Sequence, residues 1–233
     1  GAIFVDQASK YIHVENQVSL STHATLFAKA SFEKMCADSG VVVHQYISDG
    51  GTSFTSRDFA QHLSIFRQII RFAGAGAHHH NPAEREIRTI MSIARTMMLH
   101  ASIHWPELSE PELWPMAVAY AVYTWNHLPN PETGVSPAEI FTKSKWSHHN
   151  FQNFHVWGCP VYVLDKEISD GKKIPKWKPR SQRMMFVGFS PNHASSVPMV
   201  LNPMTGTITP QFHIVFDDWF DTVSSTSDDL PDY

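Results

Sequence analysis

The sequence predicts a mixed α/β domain followed by a small all-β domain. Up to about residue 145, short apolar runs typical of strands alternate with stretches whose apolar residues recur at helical spacing. After Asn150 the apolar runs are short and are separated by Gly, Pro and Asn turns. We therefore expect an α/β domain over residues 1–145 and a β barrel over residues 151–221, with a linker over residues 134–150.

A hairpin and a helix are predicted at the start of the chain. Residues 2–5 and 11–18 have the apolar pattern of strands, and a short polar turn joins them. Ser21 or Thr22 can then cap a helix that ends at Gly40. The side of this helix that we expect to be buried carries Leu26, Phe27, Ala30 and Met35.

A carboxylate marks the end of the third predicted strand. This strand is expected over residues 41–47, and Asp49, Gly50 and Gly51 follow it. The carboxylate therefore stands where a strand gives way to a flexible turn. Active-site groups favour that position in α/β folds.

A second carboxylate lies at the start of a long helix. Ser56 can cap a short helix, residues 69–72 suit another strand, and Pro82 fits the first turn of the helix that follows. Glu84 lies in that opening turn. The apolar stripe of the long helix should contain Ile87, Ile90, Met91, Ala94 and Met98. A further helix is expected over residues 112–127.

Asp49 and Glu84, with 34 residues between them, could converge on a divalent cation. Mg²⁺ and Mn²⁺ prefer carboxylate oxygens as protein ligands. Spacing alone favours a structural interpretation, in which Asp49 makes a turn and Glu84 stabilises a helix start through the macrodipole.

The charge is unevenly distributed along the chain. A formal net charge of −4 argues against a nucleic-acid partner, because phosphate binding relies on Lys and Arg. The net charge combines an acidic tail with a basic segment. The tail covers residues 224–233 and is expected to be disordered. The basic segment contains Lys172, Lys173, Lys176, Lys178 and Arg180. By charge alone a solvated loop is favoured over a nucleic-acid contact.

Several classes of protein are disfavoured by composition. The apolar runs are shorter than the roughly 20 residues that span a bilayer, and the first residues lack a signal-peptide pattern. Two cysteines, Cys36 and Cys159, are too few for a disulfide framework. We expect a reduced, intracellular protein without a membrane partner. Because the chain begins at Gly1 in the middle of an apolar run, we expect it to be part of a longer protein.

Seven segments of the chain resemble copia-type retrotransposon integrases. The first four follow in that family's order: SDGGTSFTSRDF, HHHNPAEREIRTIMSIARTMM, LWPMAVAYAVYTWNHLP and SPAEIF. The others are similar to the small SH3-like barrel that follows the catalytic core in those polyproteins: FHVWGCPVYVLD, PKWKPRSQRMMFVGFSP and LNPMTGTITPQFHIVFDDW. Several long motifs in one order are more specific than a pair of carboxylates.

The resemblance implies an RNase H-like core with an Asp, Asp, Glu triad that binds two Mg²⁺ or Mn²⁺ ions. The implied reactions are DNA 3′-end processing and strand transfer. Asp49 matches the second carboxylate and Glu84 the third. The first lies upstream of this chain in the family, and Asp6, which is the tempting substitute, belongs to the hairpin turn. The chain alone is therefore expected to be inactive.

The implied partners are the DNA of the element ends and of the target, upstream and downstream Pol segments, and further copies of the chain in an active assembly. The nucleus is the implied location. The candidate DNA-binding residues are His79, Asn81, Arg85, Arg88, Lys172, Lys173, Lys176, Lys178 and Arg180. His78, His79 and His80 are adjacent in a loop and so cannot all face one metal ion, which favours DNA contact.

Two departures from the family pattern keep other functions open. Gly50 stands where the family usually has Asn, and Pro82 shortens the loop before Glu84 by one residue. Proline fixes φ and removes a donor, which would shift Glu84. A decayed remnant that retains only nucleic-acid or protein binding is therefore the alternative. A metal-dependent nuclease of the same fold is a third possibility, and it does not explain the C-terminal barrel.

Overall fold

The computed structural model describes residues 1–74, 82–145, 148–193 and 197–223. The predicted acidic tail lies outside them. The described chain forms two compact units. Unit 1 consists of Gly1–Met91 and Val122–Trp146, and unit 2 consists of Ser92–Ala121 and Ser147–Tyr233. Within the described residues, no helix combines the length and the apolar character that crossing a membrane requires.

Unit 1 is a mixed α/β structure, as predicted. Strands β1 and β2 form an antiparallel hairpin, and β3 and β4 form a parallel pair. The elements up to the division in the fourth helix are β1 (Ala2–Val5), β2 (Ile12–Glu15), α1 (Thr22–Asp38), β3 (Gln45–Ser48), α2 (Thr52–Thr55), α3 (Arg57–Ile65), β4 (Ile69–Phe72) and α4 (Pro82–His104). The last turns of α5 (Trp114–His127) and all of α6 (Pro137–Thr142) complete the unit.

Helix α1 has the predicted ends but a different buried side. The Ser21 side chain accepts a hydrogen bond from the Ala24 amide, and Gly40 after the helix has a φ of 70°. Phe27 is 66% exposed, so the predicted buried side was wrong. The buried residues are Thr25, Ala28, Lys29, Phe32 and Cys36. The pattern of apolar residues in the sequence does not reveal this buried stripe, because the stripe includes Lys29, whose charge is satisfied inside the fold.

A side-chain amide fastens the hairpin to the end of α5. The Asn126 Oδ1 atom accepts from the Ile12 amide at 2.8 Å, and its Nδ2 atom donates to the Ile12 carbonyl at 2.7 Å. Asn126 is buried, and so is Ile12. The Asn126 side chain thus satisfies both backbone polar groups of Ile12, on the edge of β2.

Residues 137–142 were predicted as linker, and this prediction was wrong. They form α6, which begins with a capping box: the Glu139 amide donates to the Ser136 Oγ atom, and the Glu139 carboxylate accepts from the Ser136 amide. Phe141 is buried in α6 and stacks on Tyr11 with ring centroids 4.4 Å apart. The core beside it contains Phe32 and Cys36. The Ser-x-x-Glu spacing was visible in the sequence.

Unit 2 contains a five-stranded antiparallel sheet in the order β8-β7-β6-β5-β9. A meander whose last strand returns beside the first is consistent with the predicted SH3-like barrel. The elements are β5 (Pro160–Leu164), α7 (Lys166–Ser169), β6 (Ser181–Phe189), β7 (Pro198–Leu201), β8 (Ile208–Pro210) and β9 (Ile214–Phe216). The helix α7 was not expected in a unit predicted to be all-β.

Unit 2 also includes residues 92–121, which differs from the predicted division at about residue 145. Gly158 lies so close to α4 that a Cβ atom there would be 2.6 Å from the Ala101 Cβ atom. Trp105 Nε1 donates to the Gly158 carbonyl at 2.8 Å, and the Tyr120 hydroxyl donates to the His155 carbonyl at 2.5 Å. These buried contacts explain why parts of α4 and α5 belong with the sheet.

Replacing Gly158 by Ala should destabilise the protein by about 2–4 kcal/mol, because the new methyl group overpacks against Ala101 and the φ of 84° disfavours a side chain. Gly171→Ala is the matched control, since Gly171 has a φ of 75° and no neighbour within 4 Å. It should cost only about 1 kcal/mol. Urea unfolding measures both, and equal losses would contradict the close approach.

Candidate carboxylate site

Asp49 follows β3 directly and is exposed. Its Oδ1 atom accepts a hydrogen bond from the Gly51 amide at 3.2 Å. A Cβ atom at Gly51 would lie 3.1 Å from that oxygen, whereas one at Gly50 would meet nothing within 4 Å. The turn therefore positions one carboxylate oxygen through the backbone of Gly51 and leaves room for a side chain at Gly50.

Glu84 lies in the first turn of α4 and is half-buried. Asp49 and Glu84 line the same cavity in unit 1, whose volume is about 410 Å³. Two carboxylates that are distant in sequence therefore line one cavity. Metal binding by them stays a prediction. Within the described ranges, the structure has no group of three or more His, Cys, Asp or Glu residues arranged to hold a metal ion.

The same cavity separates the two strand pairs of unit 1. Ile3 and Phe4 of β1 line it, as do Tyr46 and Ile47 of β3. Strand β1 pairs with β2, and β3 pairs with β4, and in the part of the chain that the structure describes β1 and β3 do not pair with each other. Each pair therefore has an edge without a partner strand beside the carboxylates.

Asp6 belongs to the hairpin turn, as predicted. Its Oδ2 atom accepts hydrogen bonds from the Ser9 amide at 2.7 Å and from the Ser9 hydroxyl at 2.6 Å. The Lys10 amide donates to the Asp6 carbonyl, and Lys10 has a φ of 63°. The Asp6 side chain is thus engaged in shaping a tight turn.

A buried polar network fixes the position of β3, and the sequence analysis missed it. Lys29 is 1% exposed, and its Nζ atom lies 2.8 Å from the Glu33 carboxylate. The Tyr46 hydroxyl of β3 donates to Glu33 at 2.6 Å, and the Gln68 side chain donates to the same oxygen. The i, i+4 spacing of Lys29 and Glu33 was a signal, but such a pair is more often found on a helix surface.

Burial and hydrogen bonding act oppositely on Glu33. Burial alone would raise the pKa of its carboxyl group. The hydrogen bonds from Lys29, Tyr46 and Gln68, with the charge of Lys29, outweigh burial and lower the pKa below its ordinary value. Burial, followed by the hydrogen bond to Glu33, raises the pKa of Tyr46. The network therefore contains an ionised carboxylate and a neutral phenol at neutral pH.

Several candidate DNA-binding residues are solvent-exposed. Arg85 and Arg88 follow Glu84 on α4, and both are exposed. The five basic residues of the segment from Lys172 to Arg180 are also exposed. Lys178 differs from the others, since its Nζ atom lies 2.8 Å from Glu167 and 3.7 Å from Asp165. His79 and Asn81, together with His78 and His80, lie outside the described residues.

No family model matches this chain. A stretch of 175 residues, 74% of the chain, is 27% identical to the retrovirus-related Pol polyprotein from transposon RE2 of Arabidopsis thaliana. A stretch of 140 residues, 60% of the chain, is 29% identical to the corresponding polyprotein from transposon RE1. This chain is similar to part of retrotransposon Pol polyproteins. The predicted relationship is confirmed, and the matches span only 11% and 9% of these relatives.

Solved integrase structures are weakly similar. The catalytic core domain of HTLV-2 integrase in complex with magnesium, in its dimeric form, has a TM-score of 0.45 and 20% identity, covering 60% of this chain and 81% of that one. A chain of the simian T-cell lymphotropic virus intasome in complex with PP2A regulatory subunit B56 gamma has a TM-score of 0.44 and 13% identity, covering 97% of this chain and 71% of that one. The similarity of this chain to retrotransposon Pol polyproteins therefore rests on the sequence relatives.

Glu33→Gln should destabilise the protein by about 3–5 kcal/mol at neutral pH, because it leaves the buried Lys29 ammonium without its anion. The lowered pKa of Glu33 means that the unfolded chain binds the carboxyl proton more tightly than the folded protein does. The stability that Glu33 contributes is thus present above its ordinary pKa of 4.5 and is lost as the pH falls through the lower folded value.

Urea unfolding of both proteins from neutral to acidic pH measures this effect. The difference in unfolding free energy should shrink on acidification. Glu132→Gln is the control, because Glu132 is exposed in the same unit and should change the free energy by less than about 0.5 kcal/mol. A difference that does not vary with pH would show that the Glu33 charge is not what stabilises the network.

Proposed function

We propose that this chain is the integrase part of a copia-type retrotransposon Pol polyprotein, with an RNase H-like core in unit 1. It would take part in metal-dependent DNA 3′-end processing and strand transfer. The observation that carries the proposal is the placement of Asp49 and Glu84 on one cavity. The similarity to Pol polyproteins over 74% of the chain supports it independently.

The residues around this cavity fit a divalent cation. Asp49 and Glu84 supply hard carboxylate oxygens, which suit Mg²⁺ or Mn²⁺. The Gly51 amide holds one Asp49 oxygen, so the ligand is oriented before any ion binds. Bound cations would activate the attacking oxygen and stabilise the leaving 3′ oxygen. Arg85 and Arg88 are exposed on the same helix as Glu84 and would bind DNA phosphates.

A third carboxylate would come from residues that precede Gly1 in the parent polyprotein. The unpartnered edges of β1 and β3 on the two sides of the cavity support this proposal. A strand that entered between them would pair with both edges and satisfy their backbone groups. A carboxylate on that strand would then lie beside Asp49, at the end of β3.

The proposed partners follow from the same assignment. They are the DNA of the element ends and of the target, the adjoining segments of the Pol polyprotein and further copies of the chain. The similar solved structures are described as dimeric and trimeric cores with magnesium and as an intasome. We place the active assembly in the nucleus, where the target DNA of such an element is found.

A non-catalytic remnant is the second candidate function. The observations that favour it are Gly50 in place of the family's Asn and the helix start at Pro82, two residues before Glu84. Such a remnant would retain the fold and bind nucleic acid or protein without strand transfer. Metal sites tolerate little displacement of their ligands, so a small shift of Glu84 is enough to separate the two functions.

Activity of a longer chain tests the proposal. The 233-residue chain should bind Mn²⁺ poorly and join no DNA ends, because two carboxylates do not hold two metal ions about 4 Å apart. A chain that includes the preceding residues of the parent reading frame should show Mn²⁺-dependent strand transfer. Asp49→Asn or Glu84→Gln should reduce that activity by orders of magnitude.

Amide hydrogen exchange distinguishes the possible failures. In the longer chain, exchange at the edges of β1 and β3 should slow as the preceding strand pairs with them. Slowed exchange without strand transfer would support the remnant. Equal activity of the short and long chains would show that a residue within the 233 supplies the third ligand.

A pair of glycine variants of the longer chain tests the role of Asp49. Gly51→Ala should weaken Mn²⁺ binding by roughly tenfold, because the new Cβ atom displaces the Asp49 oxygen that the turn positions. Gly50→Ala should leave binding unchanged, since nothing lies within 4 Å of the added atom. Titration calorimetry measures both affinities. Equal affinities in the two variants would exclude Asp49 as a ligand held by this turn.

A further inference from the structure

Trp177 is 90% exposed in the middle of the basic segment of unit 2. Residues 172–180 contain five basic side chains and no acidic one. The Lys176 ammonium lies 5.6 Å from the centroid of the Trp177 ring. A single exposed apolar side chain needs no explanation by itself, but an indole that a lysine ammonium contacts within a run of basic residues is a particular chemical surface.

A tight turn presents the Trp177 ring at its tip. The Lys178 amide donates to the Pro175 carbonyl at 3.0 Å, so Lys176 and Trp177 occupy the two central positions of the turn. Pro175 and Pro179 on either side restrict the backbone. The ring is therefore held outward by a turn whose conformation is restricted before any partner binds.

The base of this turn is attached to the rest of unit 2. The Asp165 amide donates to the Arg180 carbonyl at 2.8 Å. Lys178 is paired with Glu167 and Asp165, so it joins the turn to α7 instead of facing a partner. Lys172, Lys173, Lys176 and Arg180 remain as exposed cations in the same segment as Trp177.

We propose that Trp177 stacks on an unpaired base of single-stranded nucleic acid while Lys172, Lys173, Lys176 and Arg180 bind the adjacent phosphates. An aromatic face among cations is the arrangement that binds single strands without sequence preference. A duplex suits it less, because its bases stack on one another and must be unstacked first. The choice of nucleic acid as the ligand class rests on the proposed function. The stacked base is an added contact that the carboxylate site does not supply.

Binding of a fluorescent oligothymidylate in the presence of EDTA tests the inference without involving the metal site. Trp177→Ala should weaken binding roughly tenfold, the effect of losing one stacked base. Trp177→Phe should bind nearly as tightly as the unaltered chain and lose part of the quenching of tryptophan fluorescence. Lys173→Gln should instead lower the salt dependence of binding, because it removes a phosphate contact.

Trp219→Ala is the matched control. Trp219 is 87% exposed in the same unit but stands among Asp217, Asp218 and Asp221, so its loss should leave binding unchanged. Unchanged unfolding midpoints for both tryptophan variants would exclude misfolding as the cause. The assay contains EDTA and does not involve the metal site, so a failed strand-transfer assay does not affect this test.

Three results would overturn the inference. Equal binding by Trp177→Ala and the unaltered chain would show that charge alone holds the strand. Tighter binding to duplex DNA of the same length would exclude an unpaired base as the ligand. The third result is that the chain binds no nucleic acid but binds vesicles of anionic lipid. If Trp177→Ala abolished that vesicle binding, the turn would be assigned to a membrane surface.

Discussion

The candidate site depends most on the hydrogen bonds that the Glu33 carboxylate accepts. It accepts hydrogen bonds from Lys29 of its own helix, from Tyr46 of β3 and from Gln68 just before β4. This half-buried anion thus joins α1 to β3 and to the residue just before β4. Asp49 follows β3, so Glu33 helps to set the position of Asp49 although Glu33 is not a candidate metal ligand. Such a network is useful only when every member is satisfied, because an unpaired buried charge costs several kcal/mol.

Each strand pair of unit 1 is bound to a helix by side-chain hydrogen bonds. Asn126 of α5 binds the edge of β2 through both of its amide atoms, and Glu33 of α1 binds the β3 and β4 side. The space between β1 and β3 is left as a cavity with carboxylates on its wall. Strand edges are usually covered or charged in a folded protein, which is the physical reason for proposing a further strand between β1 and β3.

Unit 2 carries a basic segment and an acidic segment, although the chain as a whole is acidic. A run of exposed cations lies in residues 172–180, whereas Asp217, Asp218 and Asp221 follow β9. Part of that acidic group has a structural role, since Asp218 pairs with His155 at 2.9 Å and Asp217 accepts hydrogen bonds from Thr222. A net charge of −4 is therefore a poor guide to the local potential that a phosphate would meet.

Local sequence signals determined the element types and most of their ends. Ser21 and Ser56 cap the helices they precede, Gly40 follows the end of α1, and the strands β1 and β4 have the predicted bounds. These features depend on a few consecutive residues, so the sequence is sufficient to predict them. The same signals at Ser136 and Glu139 were overlooked in a segment interpreted as linker.

Only the tertiary structure decided which side of each element is buried and which distant residues meet. Phe27 faces solvent while Lys29 is buried, because Glu33, Tyr46 and Phe66 surround the ammonium group. Residues 92–121 belong with the sheet of unit 2, because Gly158 lets the turn before β5 approach α4 closely. The shared cavity of Asp49 and Glu84 depends in the same way on packing between elements. Such packing is a property of several chain segments at once, which no local pattern encodes.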